Sequence, residues 1–317
     1  MLCDKPVSIV LDTDMGPDCD DAGALAILHG LADRGEARIL GITHCTSNMY
    51  GPGCIDAINR YCGRSDIPVG TLKKSGFLIG KDCEKYNRYI TENYSNVYKD
   101  SPAQDAVSIC RKVLSEQTGH SVVMISIGPL TNLALLLESK PDENSGMCGY
   151  ELIGLKAKEL VSMAGQFETD ETGNLPAEWN VLMDIPSAQT VFHRWPTPVV
   201  FCGWETGDRV ITGKRLMSEC EAGNPIKKIY ELFTKGEGRS SWDLITAVFA
   251  VRGECGFWEL SPNGMVSIDD KGVSHFKGKN AGSHRYLINK LPTAEIEQYL
   301  DSLLLDSCLK TSKTLEY

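Results

Sequence analysis

The sequence predicts an α/β fold with a mostly parallel, open sheet and helices on both faces. Along its 317 residues, short apolar runs of strand length alternate with helical patterns, and such alternation is typical of parallel sheets. Polar residues follow several of these runs directly. No internal repeat or low-complexity linker interrupts the pattern, so we expect a single domain over residues 1–317.

The strands are predicted in runs of three to seven mostly apolar residues, and the helices where apolar residues recur every three or four positions. The predicted strands are Val7–Leu11, Ala37–Thr43, Val122–Ile127, Glu159–Ala164, Pro198–Gly203, Met265–Ile268 and Tyr286–Ile288. The predicted helices are Ala22–Leu28, Gly53–Cys62, Pro102–Gln117, Leu130–Leu137, Ile185–Phe192 and Thr293–Leu305. The polar, glycine-containing stretch Pro141–Tyr150 is predicted to be a surface loop.

Composition narrows the class of partner. The formal net charge is −10, which disfavours binding to nucleic acid or to an anionic membrane. The 12 cysteines include no Cys-x-x-Cys pair, so we expect free thiols and a cytoplasmic location. No signal peptide and no membrane span is predicted, because no apolar run approaches ~18 residues. A small-molecule substrate fits this balance best.

A dense group of acids follows the first predicted strand: Asp12, Asp14, Asp18, Asp20 and Asp21 lie within ten residues. Unpaired, they would repel one another, and a bound cation would remove the conflict. Carboxylates are hard ligands, which suits Ca²⁺ or Mg²⁺. The alternative is a solvated acidic loop that caps a helix. The spacing does not match an EF-hand loop, because its sixth position would be a proline and its twelfth a glycine.

Polar side chains also follow the other predicted strands. In open parallel sheets, ligands bind beyond the carboxyl ends of the strands, and amides and carboxylates there could hold a polyhydroxylated ligand. Each such residue alone is equally well explained as a turn or a helix cap. The candidates are His44, Asn48, Asn132, Asn174, Glu178, Asn180, Glu205 and, at the start of a later helix, Asp243.

The segment Asp12-Thr13-Asp14-x-Gly-x-Asp-x-Asp20-Asp21-Ala22 resembles the N-terminal signature of the inosine/uridine-preferring nucleoside hydrolases, a family of calcium-dependent N-ribohydrolases. The resemblance runs from about residue 7 to 290 in the family's order. It continues through Gly41-Ile42-Thr43 with Asn48, Gly128-Pro129-Leu130-Thr131-Asn132, Gly173-Asn174, Ala177-Glu178-Trp179-Asn180 and Trp242-Asp243.

This resemblance implies roles for individual residues. Asp14 corresponds to the general base, and Asp14, Asp21, Asp243 and the carbonyl of Ile127 to the ligands of one Ca²⁺. Asp12 corresponds to a supporting residue. The ribose-binding residues correspond to Asp20, Asn48, Asn174, Glu178, Asn180 and Asp243. The implied reaction hydrolyses the N-glycosidic bond of a ribonucleoside to ribose and free base, through a calcium-bound water that Asp14 deprotonates. A homo-dimer or homo-tetramer is also implied.

The chain departs from the family pattern in two places. Met15 replaces the usual proline, and two extra residues, Asp18 and Cys19, precede the last acid pair, so the register of Asp20 and Asp21 is inferred. Trp242 stands where the best-known members have a histidine, as in a variant branch of the family. We expect Trp242 to stack on the base, while His44, solvent or stacking remain alternatives for assisting its departure. Asp18 has no implied role.

Two other functions fit parts of the sequence. A non-catalytic nucleoside or ribose binder could share the scaffold, although a complete set of acids favours an enzyme. A phosphatase of the haloacid dehalogenase type also has Asp-x-Asp after its first strand, but it needs further acids after a later Gly-Asp. Here Gly207-Asp208 is followed by Arg-Val-Ile-Thr, which disfavours the phosphatase.

Overall fold

The computed structural model describes residues 5–278 and 282–312. Its strands are β1 Val7–Thr13, β2 Ala37–His44, β3 Val69–Thr71, β4 Gln104–Asp105, β5 Val122–Ser126, β6 Ala157–Met163, β7 Val199–Cys202, β8 Ile211–Thr212, β9 Arg239–Ser240, β10 Trp258–Leu260, β11 Met265–Ile268, β12 Ser274–Lys277 and β13 His284–Asn289.

The helices lie between these strands and after the last one. They are α1 Asp20–Asp33, α2 Gly51–Tyr61, α3 Asn87–Asn93, α4 Ala106–Ser115, α5 Thr131–Glu138, α6 Gly149–Lys156, α7 Trp179–Met183, α8 Ile185–Arg194, α9 Trp204–Gly207, α10 Lys214–Glu219, α11 Pro225–Thr234, α12 Trp242–Arg252 and α13 Thr293–Ser312. A short 3₁₀ helix spans Lys81–Cys83. None of the described helices combines the length and the apolar character needed to cross a membrane.

The central sheet has nine strands in the order β10-β13-β7-β6-β5-β1-β2-β3-β4. Neighbouring strands run parallel except for β10, which pairs antiparallel with β13. The sheet does not close into a barrel, so the predicted mostly parallel open sheet is confirmed. The pairs β11–β12 and β8–β9 form two small antiparallel sheets.

The sheet is buried on both faces, which explains why its strands are continuous apolar runs. In β1, Ile9 and Leu11 join a cluster with α1, α2, α12 and α13 on one face, whereas Val10 joins a cluster with α4, α5, α6 and α8 on the other. Successive strand residues point to opposite faces, so both clusters draw on the same short run. Parallel pairing of β1 with β2 and β5 aligns Asp12 with Thr43 and Ser126.

The predicted strands are all present, with ends that differ by a few residues. The helix predicted over Pro102–Gln117 begins later, because Gln104–Asp105 pairs with β3 as the edge strand β4. Asp105 then caps α4 by accepting a hydrogen bond from the Ser108 N–H at 2.9 Å. The loop predicted over Pro141–Tyr150 ends early, since α6 begins at Gly149. Whether residues 1–317 fold as a single domain stays a prediction.

Candidate active site

The turn between β1 and α1 carries most of the acids, and two glycines allow its path. Gly16 has φ +153°, and a Cβ there would lie 2.5 Å from the Cys83 carbonyl oxygen. A Cβ on Gly128, just after β5, would lie 2.9 Å from the Asp14 nitrogen. Side chains at either position would therefore displace the backbone beside Asp14. The turn brings Asp14 against the carboxyl end of β5.

Three carboxylates converge where α1 and α12 begin. Oxygen atoms of Asp20, Asp21 and Asp243 lie within 4.8 Å of one another. The Asp243 N–H donates a hydrogen bond to Asp20 at 3.1 Å, and the Thr13 hydroxyl donates one to Asp21. These bonds join the end of β1 to the first turns of both helices, and they fix the three acids without neutralising them.

Burial and mutual repulsion oppose ionisation of these acids. Burial, followed by the charges of Asp18, Asp12 and Glu178, raises the pKa of Asp14 to about 7. Burial and the neighbouring carboxylates hold the pKa of Asp20 and Asp21 well above their ordinary range. The pKa of Asp243 is raised in the same way. Buried hard-oxygen donors that repel one another match a divalent cation chemically, so the cluster fits a metal site.

The acids form one wall of a cavity of about 340 Å³ at the carboxyl edge of the sheet. Eight of the residues proposed from the sequence line it: Asp14, Asp20, Asp21, Ile127, Glu178, Asn180, Trp242 and Asp243. The lining also includes Asp18, Met163, Trp179, Trp204, Phe233 and Arg239. The parallel strands therefore bring together residues from distant parts of the chain, and the volume suits a small ligand.

Glu178 and Asn180 form a second wall. The Glu178 carboxylate caps α7, accepting hydrogen bonds from the Asn180 N–H at 2.7 Å and the Gly165 N–H at 3.1 Å. Burial raises the pKa of Glu178 to about 7. The Asn180 side-chain nitrogen donates to the Met163 carbonyl at 2.9 Å. No described residue donates to the Asn180 side-chain oxygen, which leaves it able to accept from a ligand hydroxyl.

Aromatic side chains define a third wall. The Trp242 indole N–H donates to the Trp204 carbonyl at 2.8 Å, and the two rings lie 6.5 Å apart at 32°. The ring of Trp242 is thereby fixed in the cavity wall next to Asp243. Because its one N–H already has a partner, Trp242 can offer a ligand its ring face but no free hydrogen-bond donor.

Asp12 lies behind the turn rather than in the cavity. Its carboxylate accepts hydrogen bonds from the Thr43 hydroxyl at 2.5 Å and the Asn132 amide at 2.7 Å. Burial raises its pKa to about 7. These contacts join β1 to β2 and α5, in line with the supporting role expected for Asp12.

His44 is not part of the cavity lining. Its ring is fully buried between Thr46 and Thr71, at 3.3 and 3.5 Å from their hydroxyls, and it packs against Gly51. Burial lowers the pKa of His44 to about 4. The expected contact with substrate is therefore absent from this structure, because β2 ends by directing His44 into the protein.

Two of the expected ribose ligands also lie outside the cavity. The Asn48 side chain contacts Glu84 at 3.3 Å and accepts from the Tyr50 N–H at 2.9 Å, and it lines a neighbouring cavity of about 570 Å³. Asn174 is exposed in a turn and donates to the Thr172 hydroxyl at 2.8 Å. Both amides are therefore engaged by loop residues in this structure, and neither lines the cavity that holds the acids.

Sequence reasoning missed Arg239, Phe233 and Met163, which all line the cavity. Met163 is the last residue of β6 and was within reach of the strand-end argument. Phe233 lies near the end of α11, and Arg239 lies in the short strand β9. No sequence pattern marks Phe233 or Arg239 as part of the site. The one indication is that both lie close to Trp242 in the chain.

The cavity joins a wall of acids to a wall of aromatic rings at the edge of a mostly parallel open sheet, and comparison with known families assigns this arrangement to a class of hydrolases. The sequence profile described as "Inosine-uridine preferring nucleoside hydrolase" matches residues 9–284. The chain therefore belongs to the inosine-uridine preferring nucleoside hydrolase family.

Individual relatives agree with this assignment. The chain is similar to the pyrimidine-specific ribonucleoside hydrolase RihA of Escherichia coli, at 26% identity over 91% of this chain and 92% of the relative. It is also 26% identical to the probable uridine nucleosidase 2 of Arabidopsis thaliana, over 58% of this chain and 55% of that protein. The solved purine-preferring ribonucleoside hydrolase from Gardnerella vaginalis shares the fold, with TM-score 0.73 and 16% identity over 97% of this chain and 99% of that one.

The protein is thus an enzyme, a nucleoside N-ribohydrolase. This assignment favours hydrolysis over the two alternatives, a non-catalytic binder and a phosphatase of the haloacid dehalogenase type.

Proposed function

We propose that the cavity hydrolyses the N-glycosidic bond of ribonucleosides with Asp14 as general base and a divalent cation, Ca²⁺, at the acid cluster. One observation carries the proposal. Four buried carboxylates with raised pKa values line a single cavity together with Glu178 and aromatic rings. Such a concentration of buried acids is costly for a purely structural role, and perturbed groups of this kind cluster at functional sites.

The cation would be held by Asp21 and Asp243. These two carboxylates are shared by the ligand set implied by the family resemblance and by the group whose oxygens lie within 4.8 Å of one another. Asp14, Asp20 and the Ile127 carbonyl, which belongs to another cavity-lining residue, are available to complete the set. When bound, a divalent cation neutralises the carboxylates and makes water more acidic. Oxygen-only donors favour Ca²⁺ or Mg²⁺ over softer metals.

In the proposed reaction the cavity residues have different roles. Asp14 accepts a proton from the water that attacks the anomeric carbon. The remaining carboxylates stabilise the positive charge that develops on the sugar as the bond breaks. Glu178 and Asn180 would accept hydrogen bonds from ribose hydroxyls, and Trp242 would stack on the base. The products are ribose and the free base.

Two further features belong to this proposal. The described cysteines other than Cys308 are free thiols, which supports the expected cytoplasmic location. A homo-dimer or homo-tetramer follows from the family resemblance.

The test is to incubate the protein with uridine, inosine, cytidine and adenosine and to measure ribose and free base separately. We expect one ribose per base with at least one of the four substrates, and free ribose as product whether or not phosphate is present. Binding of a ribonucleoside without release of base from any of them would support the non-catalytic binder instead.

A further inference from the structure

Arg239 is the one positively charged side chain among the described residues that line the cavity. It lies at the aromatic wall, with its guanidinium carbon 5.0 Å from the ring centre of Trp242 and 5.5 Å from that of Phe233. The acid wall, where the sugar is proposed to bind, meets this wall at Trp242, whose next neighbour is Asp243. The guanidinium of Arg239 therefore lies on the aromatic side of the cavity, which suits a flat heteroaromatic base.

Asp18 holds the guanidinium in place. The Arg239 Nε donates to both Asp18 carboxylate oxygens at 2.9 Å, and Nη2 donates to Oδ2. Asp18 is itself oriented by the Cys19 N–H, which donates to Oδ1 at 2.7 Å. No described residue accepts a hydrogen bond from Nη1 of Arg239. The guanidinium is thus fixed on one edge and keeps unused N–H groups on the other.

This pair accounts for the extra residues in the acidic segment. Asp18 and Cys19 lengthen the turn relative to the family pattern, and Asp18 reaches a partner 221 positions away in sequence. The Arg239 side chain is about 35% exposed and the Asp18 side chain about 25%. An ion pair with that exposure contributes little to stability. Because the pair adds little stability, its place in the cavity lining is the property that points to a function.

Cleavage of the N-glycosidic bond places negative charge on the base, which is proposed to bind at the aromatic wall. As the bond between the anomeric carbon and the base nitrogen breaks, its electron pair stays on the base, where it spreads over ring nitrogens and any carbonyl oxygens. The departing base needs a proton or a partner for this charge. Trp242 has no free N–H, and His44 lies outside the cavity. The other ionisable side chains of the lining are acids and the Cys83 thiol, whose pKa burial raises.

A guanidinium meets this need without transferring a proton. Although burial opposes it, the hydrogen bonds and charge of Asp18 raise the pKa of Arg239 above its ordinary value, so the group stays charged. It can donate N–H hydrogen bonds to an oxygen or nitrogen that gains charge in the transition state, which is how fixed donors stabilise developing anions elsewhere. Its carbon already lies within 5.5 Å of two aromatic ring centres, so a base stacked on those rings would lie beside the guanidinium.

We propose that Arg239 is a catalytic residue that stabilises the departing base as an anion, and that Asp18 is the positioning residue that aims it. This inference rests on the proposed function. In the step, water oxygen bonds to the anomeric carbon, Asp14 takes the water's proton, and the carbon–nitrogen bond breaks with its electron pair on the base. Arg239 donates hydrogen bonds to that anion, which then takes a proton from solvent as it leaves.

The test compares leaving groups of different stability. Uridine leaves as a basic anion, whereas 4-nitrophenyl riboside leaves as a stable one that needs little help. For Arg239→Gln we expect kcat on uridine to fall by about 10²–10³-fold, as for removal of one charge-stabilising donor. The loss on 4-nitrophenyl riboside should be at least tenfold smaller. Inhibition by free ribose should not change, because the sugar wall is intact.

Two further variants separate positioning from folding. Asp18→Asn should also lower the rate on uridine more than the rate on 4-nitrophenyl riboside. The difference should be smaller than for Arg239→Gln, because the guanidinium remains while its anchor weakens. Arg239→Ala should regain uridine turnover when guanidinium chloride is added at low millimolar concentration, and potassium chloride at equal ionic strength should not restore it. Arg209→Gln is the matched control, since Arg209 is 75% exposed and pairs with Glu171 at 3.2 Å on the surface.

Equal losses on both leaving groups for Arg239→Gln, without rescue of Arg239→Ala, would overturn the inference and make the pair structural. A loss confined to 5′-phosphorylated ribosides would also overturn it and assign the guanidinium to a phosphate. Activity of the wild type separates the two proposals. If the wild type releases no ribose from any substrate, the proposed function fails first.

Discussion

At the scale of single residues, burial decides what each acid can do. Asp14, Asp20, Asp21 and Asp243 are at most 5% exposed, and burial, followed by the charges of neighbouring acids, raises the pKa of each. The same burial removes His44 from the chemistry, since a neutral ring outside the cavity can neither bind the sugar nor protonate the base. Residue type alone suggested that the acids and His44 both belong to the site. Packing distinguishes them, because the acids line the cavity and His44 does not.

Asp14→Asn should lower kcat by about 10²–10⁴-fold, the usual loss for a general base. The fold should persist, and the unfolding temperature of the metal-free protein should stay the same or rise, because an amide removes a buried charge. Steady-state turnover and thermal unfolding measure the two effects. Asp66→Asn, at an exposed position, is the control. Turnover of Asp14→Asn within threefold of wild type would place the base elsewhere.

The ribose should be recognised through its hydroxyls. A site whose polar groups are left unpaired rejects an analogue that lacks a hydroxyl, so 2′-deoxyuridine should react at least about 10²-fold more slowly than uridine. Asn180→Ala should narrow that gap, because the free Asn180 side-chain oxygen lines the cavity. Asn174→Ala should leave kcat/KM for both substrates unchanged, since Asn174 is exposed outside it. Equal rates for the two nucleosides would remove Asn180 from this role.

At the scale of elements, the helices that carry the acids are held by contacts far from the cavity. α1 begins with Asp20 and Asp21, and its buried His29 lies 2.9 Å from the Asn59 side-chain oxygen of α2. His29 is only 1% exposed, so this contact between the two helices is made by a buried side chain.

Burial lowers the pKa of His29 to about 4 from its ordinary value of 6.5. Between these values the unfolded chain binds a proton that the native protein does not, so stability falls as the pH drops from about 6.5 to 4. His29→Gln should reduce that fall in unfolding free energy by about 3 kcal/mol. Urea unfolding at pH 7 and pH 4 measures it, with the exposed His193→Gln as control. An unchanged pH dependence would contradict the buried neutral histidine.

The central strands β1, β2, β5, β6 and β7 were the most predictable elements, because two-sided burial makes each an apolar run bounded by polar residues. β4 and the start of α6 were missed because tertiary contacts decide them: Gln104–Asp105 becomes a strand only by pairing with β3. In the site, Asp14, Asp21 and Asp243 could be predicted from a motif and a helix start. Arg239 could not, since its partner Asp18 lies at the other end of the chain and no local pattern joins them.

At the scale of the whole molecule, the acid cluster joins α1 and α12 to the end of β1, so a ligand there stabilises the native fold. An ion that binds only the folded state adds about 2.7 kcal/mol at 100 times its Kd. The proposed metal dependence and the stability of the protein would therefore be linked through the same three carboxylates.

Calcium should raise the unfolding temperature, and more at pH 8 than at pH 5. The sign follows from the raised pKa values of Asp20, Asp21 and Asp243. Protons are favoured in the native metal-free cluster at low pH and compete with the cation, whereas at high pH the ionised acids repel until it binds. Asp243→Asn should lose most of the shift and Asp66→Asn none. A shift that is independent of pH would contradict an acid cluster as the binding site.

The central claim is that hydrolysis depends on a cation held by these acids. The most direct measurement is a calcium titration of chelator-treated protein in which bound Ca²⁺ and uridine turnover are recorded on the same samples. We predict that turnover rises in proportion to occupancy of one site per chain, and that Asp243→Asn weakens both together. Full turnover in protein shown by elemental analysis to hold no divalent metal would contradict the account.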